Sequence, residues 1–292
     1  MDRGKGRHAN RLGRGRARPP RAGTFGAPTV RMRRLVVAPA LLLALPLTFA
    51  PPSHQAGAPA PARGVLDRLR TGGMLRVGYR TDARPLSFRD ENGRASGYSV
   101  ALCQAVIEDV KRESGLGAIP VDWMPASIDD RFDALQEGRL DLLCGASTQT
   151  LTRREKVAFS IPVFAGGIGA IMRADAPDTL RVVLAGQAQT FEPVWAASAA
   201  EVLRGRVFAA VQGTTGEAWL TERLRGGQVV AEPLRVTGYD AGVQAVVDGK
   251  ADALFGERAV LFDAVRRSPS PNQVLVVDRF FTFEPLALGD CP

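Results

Sequence analysis

Two stretches of this 292-residue chain repeat one pattern, and the repeat constrains the fold more than any other feature. Residues 133–145 and 244–256 have equal length and share identical residues at five matched positions, which include Gly138 with Gly249, Asp141 with Asp252, Leu143 with Leu254, and Gly145 with Gly256. Each copy has the pattern of a helix end, a glycine cap, a short buried strand and a second glycine where the backbone bends. The repeat predicts two α/β lobes of similar build, with the residues after Gly145 and Gly256 facing each other across a cleft. A chance match between two common helix–strand joins is the alternative.

The positive net charge of the chain comes from its first 62 residues. The formal charge is +8, from 38 basic and 30 acidic residues. Residues 1–62 hold 11 of the basic residues and one acidic residue, Asp2, which leaves 27 basic and 29 acidic residues in the rest of the chain. A nearly neutral body gives no electrostatic reason to expect binding to nucleic acid.

The amino-terminal residues predict export. Residues 1–31 are rich in Arg and Gly and predict a disordered extension. Residues 32–62 have the order of a signal peptide: a basic start at Met32, an apolar stretch from Leu35 to Ala50, and small residues before Arg63. A mainly apolar stretch of sixteen residues is too short for a membrane-spanning helix. We therefore expect a periplasmic protein.

Histidine and cysteine usage restricts the chemistry. His8 and His54 are the only histidines and both precede the predicted cleavage site, which excludes His-dependent catalysis and His-ligated metal from the mature chain. We predict no metal and no cofactor. In an oxidising compartment, Cys103 and Cys144 form a disulfide or stay as two buried thiols, and Cys291 has no obvious partner.

Hydrophobic periodicity places strands and helices in alternation, which predicts mainly parallel sheets. Ser99 is the expected cap of a helix that reaches about Lys111. Residues 163–172 are the expected strand that crosses between the lobes. Further elements are expected as strands at 74–79, 121–124, 140–144, 207–211, 251–255 and 274–277, and as helices at 128–137, 213–225, 240–248 and 257–266.

The loop after Gly145 carries the chemistry of a carboxylate site. Ser147, Thr148 and Thr150 supply hydroxyls, and Arg153 supplies a guanidinium that can bind a carboxylate with two parallel hydrogen bonds. A solvated surface loop with an ordinary helix cap is the alternative.

The opposite wall is predicted from the second repeat. Thr214 and Thr215 open a helix whose free N–H groups favour an anion, with a plain helix cap as the alternative. Glu257 follows Gly256 as Ala146 follows Gly145, and a carboxylate there could hold an ammonium group, with a surface glutamate as the alternative. Together the two walls would suit the zwitterion of an α-amino acid.

These motifs, taken in order, resemble one family. The chain is similar to the periplasmic amino-acid-binding proteins of ABC importers (family 3 solute-binding proteins) from about Met74 to Asp290. The matching motifs are residues 75–78, 97–99, 135–138 with Asp141, 148–153, 159–160, 213–215 and 252–253.

The resemblance implies an α/β, two-lobed, type II periplasmic-binding-protein fold of the venus-flytrap kind. Its expected parts are a first lobe at 63–165, a second lobe at 166–283, and residues 284–292 as a strand that returns to the first lobe. The family continues beyond that strand, so the resemblance also implies a first lobe that is truncated at the carboxyl terminus.

The resemblance also assigns roles to residues. It implies that Arg153, Thr148 and Thr215 hold the α-carboxylate of the ligand, and that Glu257 and the carbonyl of Ala146 hold its α-ammonium group. Many relatives have Asp at position 257.

The glutamate/aspartate-binding branch is the closest in appearance. Arg80, after Gly78 and Tyr79, and Arg131 match two arginines of that branch, of which the one matching Arg80 meets the side-chain carboxylate of the ligand. The alternatives are a charge at the rim for Arg80, and an ion pair with Asp129 or Asp133 for Arg131. The branch often has His at the position of Tyr239.

The leading prediction is a monomeric periplasmic binding protein that captures an amino acid, glutamate or aspartate, for the membrane permease of an ABC importer and catalyses no reaction. One alternative is a cyclohexadienyl-type dehydratase on the same fold, for which Glu257 is the candidate acid. The other is a ligand-sensing binding protein.

Overall fold

The computed structural model describes residues 64–186, 199–226 and 233–291. The predicted extension at 1–31, the predicted signal peptide at 32–62 and both histidines lie outside these ranges. Within them, no helix combines the length and apolar character needed to cross a membrane.

The described residues form helices and strands in alternation. The helices are α1 (Val65–Arg70), α2 (Tyr98–Glu113), α3 (Arg131–Gln136), α4 (Leu151–Arg154), α5 (Asp178–Ala185), α6 (Ala199–Leu203), α7 (Thr215–Gly226), α8 (Tyr239–Val247) and α9 (Arg258–Arg267), with a 3-10 turn at Pro271–Gln273. The strands are β1 (Leu75–Tyr79), β2 (Asp82–Ala83), β3 (Ser87–Arg89), β4 (Ala95–Ser96), β5 (Val121–Pro125), β6 (Leu142–Thr148), β7 (Ala158–Phe159), β8 (Phe164–Gly166), β9 (Ile168–Arg173), β10 (Phe208–Val211), β11 (Leu234–Val236), β12 (Ala253–Glu257), β13 (Val274–Val276) and β14 (Glu284–Asp290).

Two larger sheets share one strand order. The first runs β5-β1-β6-β14-β7, with β8 also paired to β14, and the second runs β11-β10-β12-β9-β13. In each, three parallel strands are followed by an antiparallel one, β14 in the first sheet and β9 in the second. We call the elements around the first sheet the first lobe and those around the second sheet the second lobe. The predicted α/β class and the two-lobed type II architecture are confirmed.

The chain crosses between the sheets twice. It leaves the first sheet at Gly166, enters the second at Ile168, and returns at Glu284, which is opposite Gly166 in the pairing of β14 with β8. The single strand predicted at 163–172 is therefore two strands. A side chain at Gly167 would place its Cβ 2.2 Å from the Thr282 carbonyl oxygen, so the break requires glycine.

The two repeats have equivalent roles in the two sheets. Gly138 and Gly249 end α3 and α8 with φ of 67° and 72°. Asp141 then accepts the backbone N–H of Arg76 at 2.8 Å, and Asp252 accepts that of Val207 at 2.7 Å. Each aspartate thus joins the start of the repeat's strand to the start of the neighbouring strand, and each also pairs with an arginine, Arg76 and Arg206 respectively. These matched contacts support the interpretation of the repeat as two similar lobes.

The predicted cap of α2 is wrong. The cap is Gly97, at φ 118°, and the Ser99 side chain is buried inside the first turn. A Cβ at Gly97 would lie 2.5 Å from the Leu86 carbonyl oxygen. The close approach of this loop to the helix start decides the cap, and no local propensity predicts such an approach.

An apolar cluster joins the lobes. Ala83, Leu86 and Leu286 of the first lobe pack in one cluster with Tyr239 and Val243 of the second. Since burial of apolar surface stabilises contacts, this cluster favours the closed arrangement of the lobes.

Candidate functional site

One small cavity between the lobes is lined by all nine side chains or backbone groups for which a ligand role is predicted. Its volume is about 30 Å³. The nine predicted residues are Arg80, Arg131, Ala146, Thr148, Arg153, Thr214, Thr215, Tyr239 and Glu257, and the lining also includes Ala83, Gly216, Val260 and Leu286. This volume suits roughly one or two water molecules and not an amino acid, so a ligand needs the lobes or side chains to move.

The second glycine of each repeat makes room for a residue of the cavity. A Cβ at Gly145 would lie 3.3 Å from Cγ of Arg80, and one at Gly256 would lie 2.7 Å from Cε1 of Tyr239. The repeat predicts a bend at these glycines. In the structure, their lack of a side chain also lets the arginine and the tyrosine reach the cavity.

The first wall is the end of β6 with α4. Thr150 caps α4, accepting the N–H of Arg153 at 3.2 Å, so the loop has the helix cap of the alternative interpretation. The cap also fixes Arg153, whose Nη1 donates to the Thr148 carbonyl at 2.9 Å. Burial lowers the pKa of Arg153, the negative charge of Glu284 opposes this shift, and Arg80 adds to it.

The second wall begins with α7. Thr214 accepts the N–H of Glu217 at 3.3 Å, and Glu217 accepts the N–H of Gly213 at 2.8 Å. This arrangement resembles a capping box, and it satisfies two of the free donors at the helix start. Thr214 therefore caps the helix in addition to lining the cavity, whereas the hydroxyl of Thr215 donates to the carboxylate of Glu284.

Glu284 is not among the nine predicted site residues, yet it accepts hydroxyls from both walls. We refer to Thr148, Arg153 and Thr215 as the carboxylate site. Oε2 of Glu284 accepts the hydroxyls of Thr148 at 3.0 Å and Thr215 at 2.6 Å, and Oε1 accepts that of Thr282 at 3.1 Å. One sequence feature could have predicted this role: Glu284 is the first residue of the predicted return strand, where a side chain faces both lobes.

Arg80 already has a counterion. It is 4% exposed, and its Nε and Nη2 donate to the two carboxylate oxygens of Asp82, both at 2.8 Å. It is therefore buried and not at the rim. Because Asp82 already balances the charge of Arg80, this arginine needs a ligand anion less than a buried arginine without an ion pair would.

Arg131 has no such counterion among the described residues. It is 3% exposed, and its Nε has no hydrogen-bond partner. One Nη donates to the Ile128 carbonyl, and the guanidinium lies 4.5 Å from the centre of the Phe132 ring. Neither Asp129 nor Asp133 forms an ion pair with it, and Asp133 instead pairs with Lys156 at 2.7 Å.

Burial and the neighbouring positive charges lower the pKa of Arg131. Burial, followed by the positive charges of Arg80 and Arg153, lowers the pKa to about 9, and Asp129 and Asp82 offset only part of this effect. Burying a cation without a paired anion is costly. The site therefore favours the addition of an anion beside Arg131.

Glu257 lies at the end of β12 and caps α9. Its Oε2 accepts the N–H of Gly167 at 3.1 Å, and its Oε1 accepts that of Ala259 at 3.4 Å. Burial raises its pKa to about 7, these two hydrogen bonds oppose the shift, and the charge of Glu284 adds to it. A nearby cation would favour the charged form, which is the chemistry expected of an ammonium partner.

Tyr239 shapes the same end of the cavity. Its hydroxyl accepts the N–H of Glu257 at 3.3 Å, and its side chain is buried. Burial raises the pKa of Tyr239 to about 12, so it stays neutral at physiological pH. This end of the cavity therefore has a tyrosine that carries no charge.

The turn before α7 touches the first lobe. Gly213 has φ of 72°, and a Cβ there would lie 2.6 Å from Cγ2 of Ile128 and 2.9 Å from Oδ1 of Asp129. This contact depends on closure of the lobes, so a side chain at Gly213 tests closure directly.

We expect Gly213→Ala to hold the lobes apart. Gly249→Ala is the matched control, because Gly249 also has φ of 72° but its nearest atom would be 3.8 Å away. Both variants should lose about 1 kcal/mol through backbone strain. Only Gly213→Ala should increase the radius of gyration measured by small-angle X-ray scattering. An unchanged radius in that variant would show that the contact does not control closure.

Cys103 and Cys144 form a disulfide with an S–S distance of 1.97 Å. It joins α2 to β6 immediately before Gly145. Among the described cysteines, Cys291 is free.

Comparison with known proteins agrees with this architecture. Residues 75–202 match the sequence profile of the bacterial extracellular solute-binding proteins, family 3. The glutamate/aspartate import solute-binding protein of Salmonella typhimurium is 24% identical over 86% of this chain and 75% of its own length. That of Escherichia coli is 33% identical over 39% of this chain and 38% of its own length.

Solved structures add the fold. The ancestral amino-acid-binding protein AncCDT-1, described as a precursor of cyclohexadienyl dehydratase, matches with a TM-score of 0.59 and 26% identity. The match covers 78% of this chain and 85% of that structure. By the profile match over residues 75–202, the relatives and the shared two-lobed architecture, this chain is similar to the bacterial extracellular solute-binding proteins of family 3.

Proposed function

We propose that this protein captures an acidic amino acid, L-glutamate or L-aspartate, outside the cytoplasm and delivers it to the membrane permease of an ABC importer. It does so as a monomer, after removal of a signal peptide, and catalyses no reaction. The family and the relatives support an amino-acid ligand and a transporter partner. The acidic specificity is the finer part of the proposal.

The observation that carries this specificity is the state of Arg131. A buried guanidinium with an unpartnered Nε and no ion pair to a described carboxylate needs an anion, and a ligand carboxylate supplies one. A charge-assisted hydrogen bond contributes about 1.5–3 kcal/mol where water is excluded. A neutral or cationic ligand side chain would leave this cation unpaired.

The remaining groups suit the ends of an amino acid. The carboxylate site supplies two hydroxyls and a guanidinium for the α-carboxylate. Glu257 and the Ala146 carbonyl supply acceptors for the α-ammonium group. The side-chain carboxylate of the ligand then binds Arg131, with Arg80 nearby. The ligand in this position spans from one wall to the other.

Closure around the ligand follows from these contacts. Groups from both lobes bind one small molecule, so the closed form gains contacts that the open form cannot make, and the ligand shifts the equilibrium towards closure. A permease can then distinguish the loaded form by the shape of the paired lobes.

The dehydratase alternative is not favoured. Glu257 could act as a proton donor, but the relatives named above are transport-binding proteins, and the similar solved structure is itself named as amino-acid-binding. A turnover assay with prephenate separates the alternatives, because a binding protein should release no product.

Isothermal titration calorimetry of the full chain tests the specificity. We expect L-glutamate or L-aspartate to bind at least tenfold more tightly than L-glutamine, and L-arginine not to bind. Tighter binding of L-glutamine or L-arginine would overturn the acidic specificity. Failure of all four to bind would overturn the proposed amino-acid ligands altogether.

A further inference from the structure

Glu284 occupies the position that a ligand carboxylate would need. Its Oε2 accepts the hydroxyl of Thr148, which ends β6, and that of Thr215, which begins α7. These hydroxyls belong to opposite lobes. One carboxylate oxygen therefore bridges the cleft at the carboxylate site.

The electrostatics of the site include the same carboxylate. Glu284 is the anion whose charge opposes the lowering of the Arg153 pKa, so it acts on this arginine as a ligand carboxylate would. Its other oxygen, Oε1, is held by Thr282 at 3.1 Å. Both oxygens of Glu284 thus have hydroxyl donors.

The space at the site does not allow a second carboxylate. In this closed arrangement, the cavity lined by Thr148, Arg153 and Thr215 has a volume of about 30 Å³, which leaves no room for a ligand carboxylate while Glu284 holds the two hydroxyls. Two carboxylates on the same hydroxyls would also repel each other.

We propose that Glu284 is an internal ligand of the carboxylate site, which the carboxylate of an incoming amino acid must displace. The inference rests on the proposed function for the identity of the external ligand, but not for the occupancy by Glu284. Because Oε2 of Glu284 accepts hydroxyls from both lobes, the incoming carboxylate takes over a contact between the lobes that Glu284 makes in the ligand-free protein.

Displacement sets a measurable penalty on affinity. The apparent dissociation constant of the external ligand rises by the inverse of the fraction of molecules whose site is free, so occupancy by Glu284 in about 90% of molecules weakens binding about tenfold. Removing the charge of Glu284 should recover this factor.

The first experiment uses acetate as the probe and does not depend on an amino-acid ligand. In Glu284→Ala, we expect 50 mM acetate to raise the melting temperature by several degrees over chloride at equal ionic strength, since acetate enters the vacated site. The wild type and Glu113→Ala, which removes an exposed glutamate at the end of α2, should show no such difference. Absence of an acetate effect in Glu284→Ala, or an equal effect in the wild type, would overturn the inference.

The second experiment measures the affinity for L-glutamate in Glu284→Gln, which keeps the size of the side chain and removes its charge. We expect binding about tenfold tighter than in the wild type, and unchanged binding in Glu113→Gln. Equal or weaker binding in Glu284→Gln would count against displacement.

The two experiments separate this inference from the proposed function. Acetate stabilisation of Glu284→Ala without binding of any tested amino acid would support the internal ligand and contradict the proposed function. Binding of L-glutamate to the wild type, without acetate stabilisation of Glu284→Ala, would support the proposed function and contradict the internal ligand.

Discussion

Replacing Arg131 with methionine is expected to weaken the binding of L-glutamate at least about thirtyfold, while changing the stability of the ligand-free protein by no more than about 1 kcal/mol. The loss of affinity follows because removing one partner of a buried charge pair costs about 2–5 kcal/mol. The small effect on stability follows because the variant loses the hydrogen bond to the Ile128 carbonyl but also removes the cost of burying a cation that has no ion pair among the described residues. Calorimetry gives the affinity, and urea denaturation gives the free energy of unfolding.

Arg80→Met is the matched comparison for this variant. Arg80 is buried to a similar extent but pairs with Asp82 through two hydrogen bonds of 2.8 Å, so its loss leaves that carboxylate unpaired. We expect a greater loss of stability in Arg80→Met than in Arg131→Met. If Arg131→Met instead lost several kcal/mol of stability and kept its affinity, Arg131 would be a structural residue.

Glu257 is expected to make the stability of the ligand-free protein fall as the pH rises. Its pKa of about 7 in the folded protein lies above the ordinary value of 4.5, so folding favours the protonated form. The contribution to stability is fully present below pH 4.5 and is lost as the pH rises to about 7. A difference of this size corresponds to about 3 kcal/mol in the free energy of unfolding.

Denaturation of the wild type and Glu257→Gln at several pH values measures this effect. The glutamine variant should lack the fall between pH 4.5 and 7 and should be the more stable of the two at pH 8. A wild-type curve that matches the variant over this range would contradict the raised pKa.

The same titration predicts protons released on ligand binding. An ammonium group beside Glu257 favours its charged form, so binding at pH 6 should release close to one proton. Calorimetry in buffers with different heats of ionisation detects the release, which should be absent in Glu257→Gln.

The sequence predicts those parts of the site that depend on local pattern. The repeat locates β6 and β12 and ends one to three residues before these strands do. Thr148 and Glu257, the last residues of the two strands, line the cavity, since equivalent strand ends of two similar sheets face one cleft. Thr150 and Thr214 have the helix-capping roles that their spacing indicates.

What the sequence does not predict depends on contacts between distant segments. The glycine cap of α2 follows from the approach of Leu86, and the break at Gly167 follows from the approach of Thr282. The position of Glu284 beside Thr148 and Thr215 requires three segments to meet. Likewise, Arg80 and Arg131 each have an aspartate two residues further on, Asp82 and Asp133. Only the structure shows that Arg80 pairs with its aspartate and that Arg131 does not.

The disulfide between Cys103 and Cys144, immediately before Gly145, links the stability of the fold to the redox state of its surroundings. It closes a loop with a sequence separation of 41 residues, and in the chain-entropy account such a cross-link stabilises by about 4 kcal/mol relative to the reduced chain. A reduced chain therefore has a larger unfolded population than the oxidised chain. In the oxidised chain, a covalent bond to α2 holds the strand that contains Gly145.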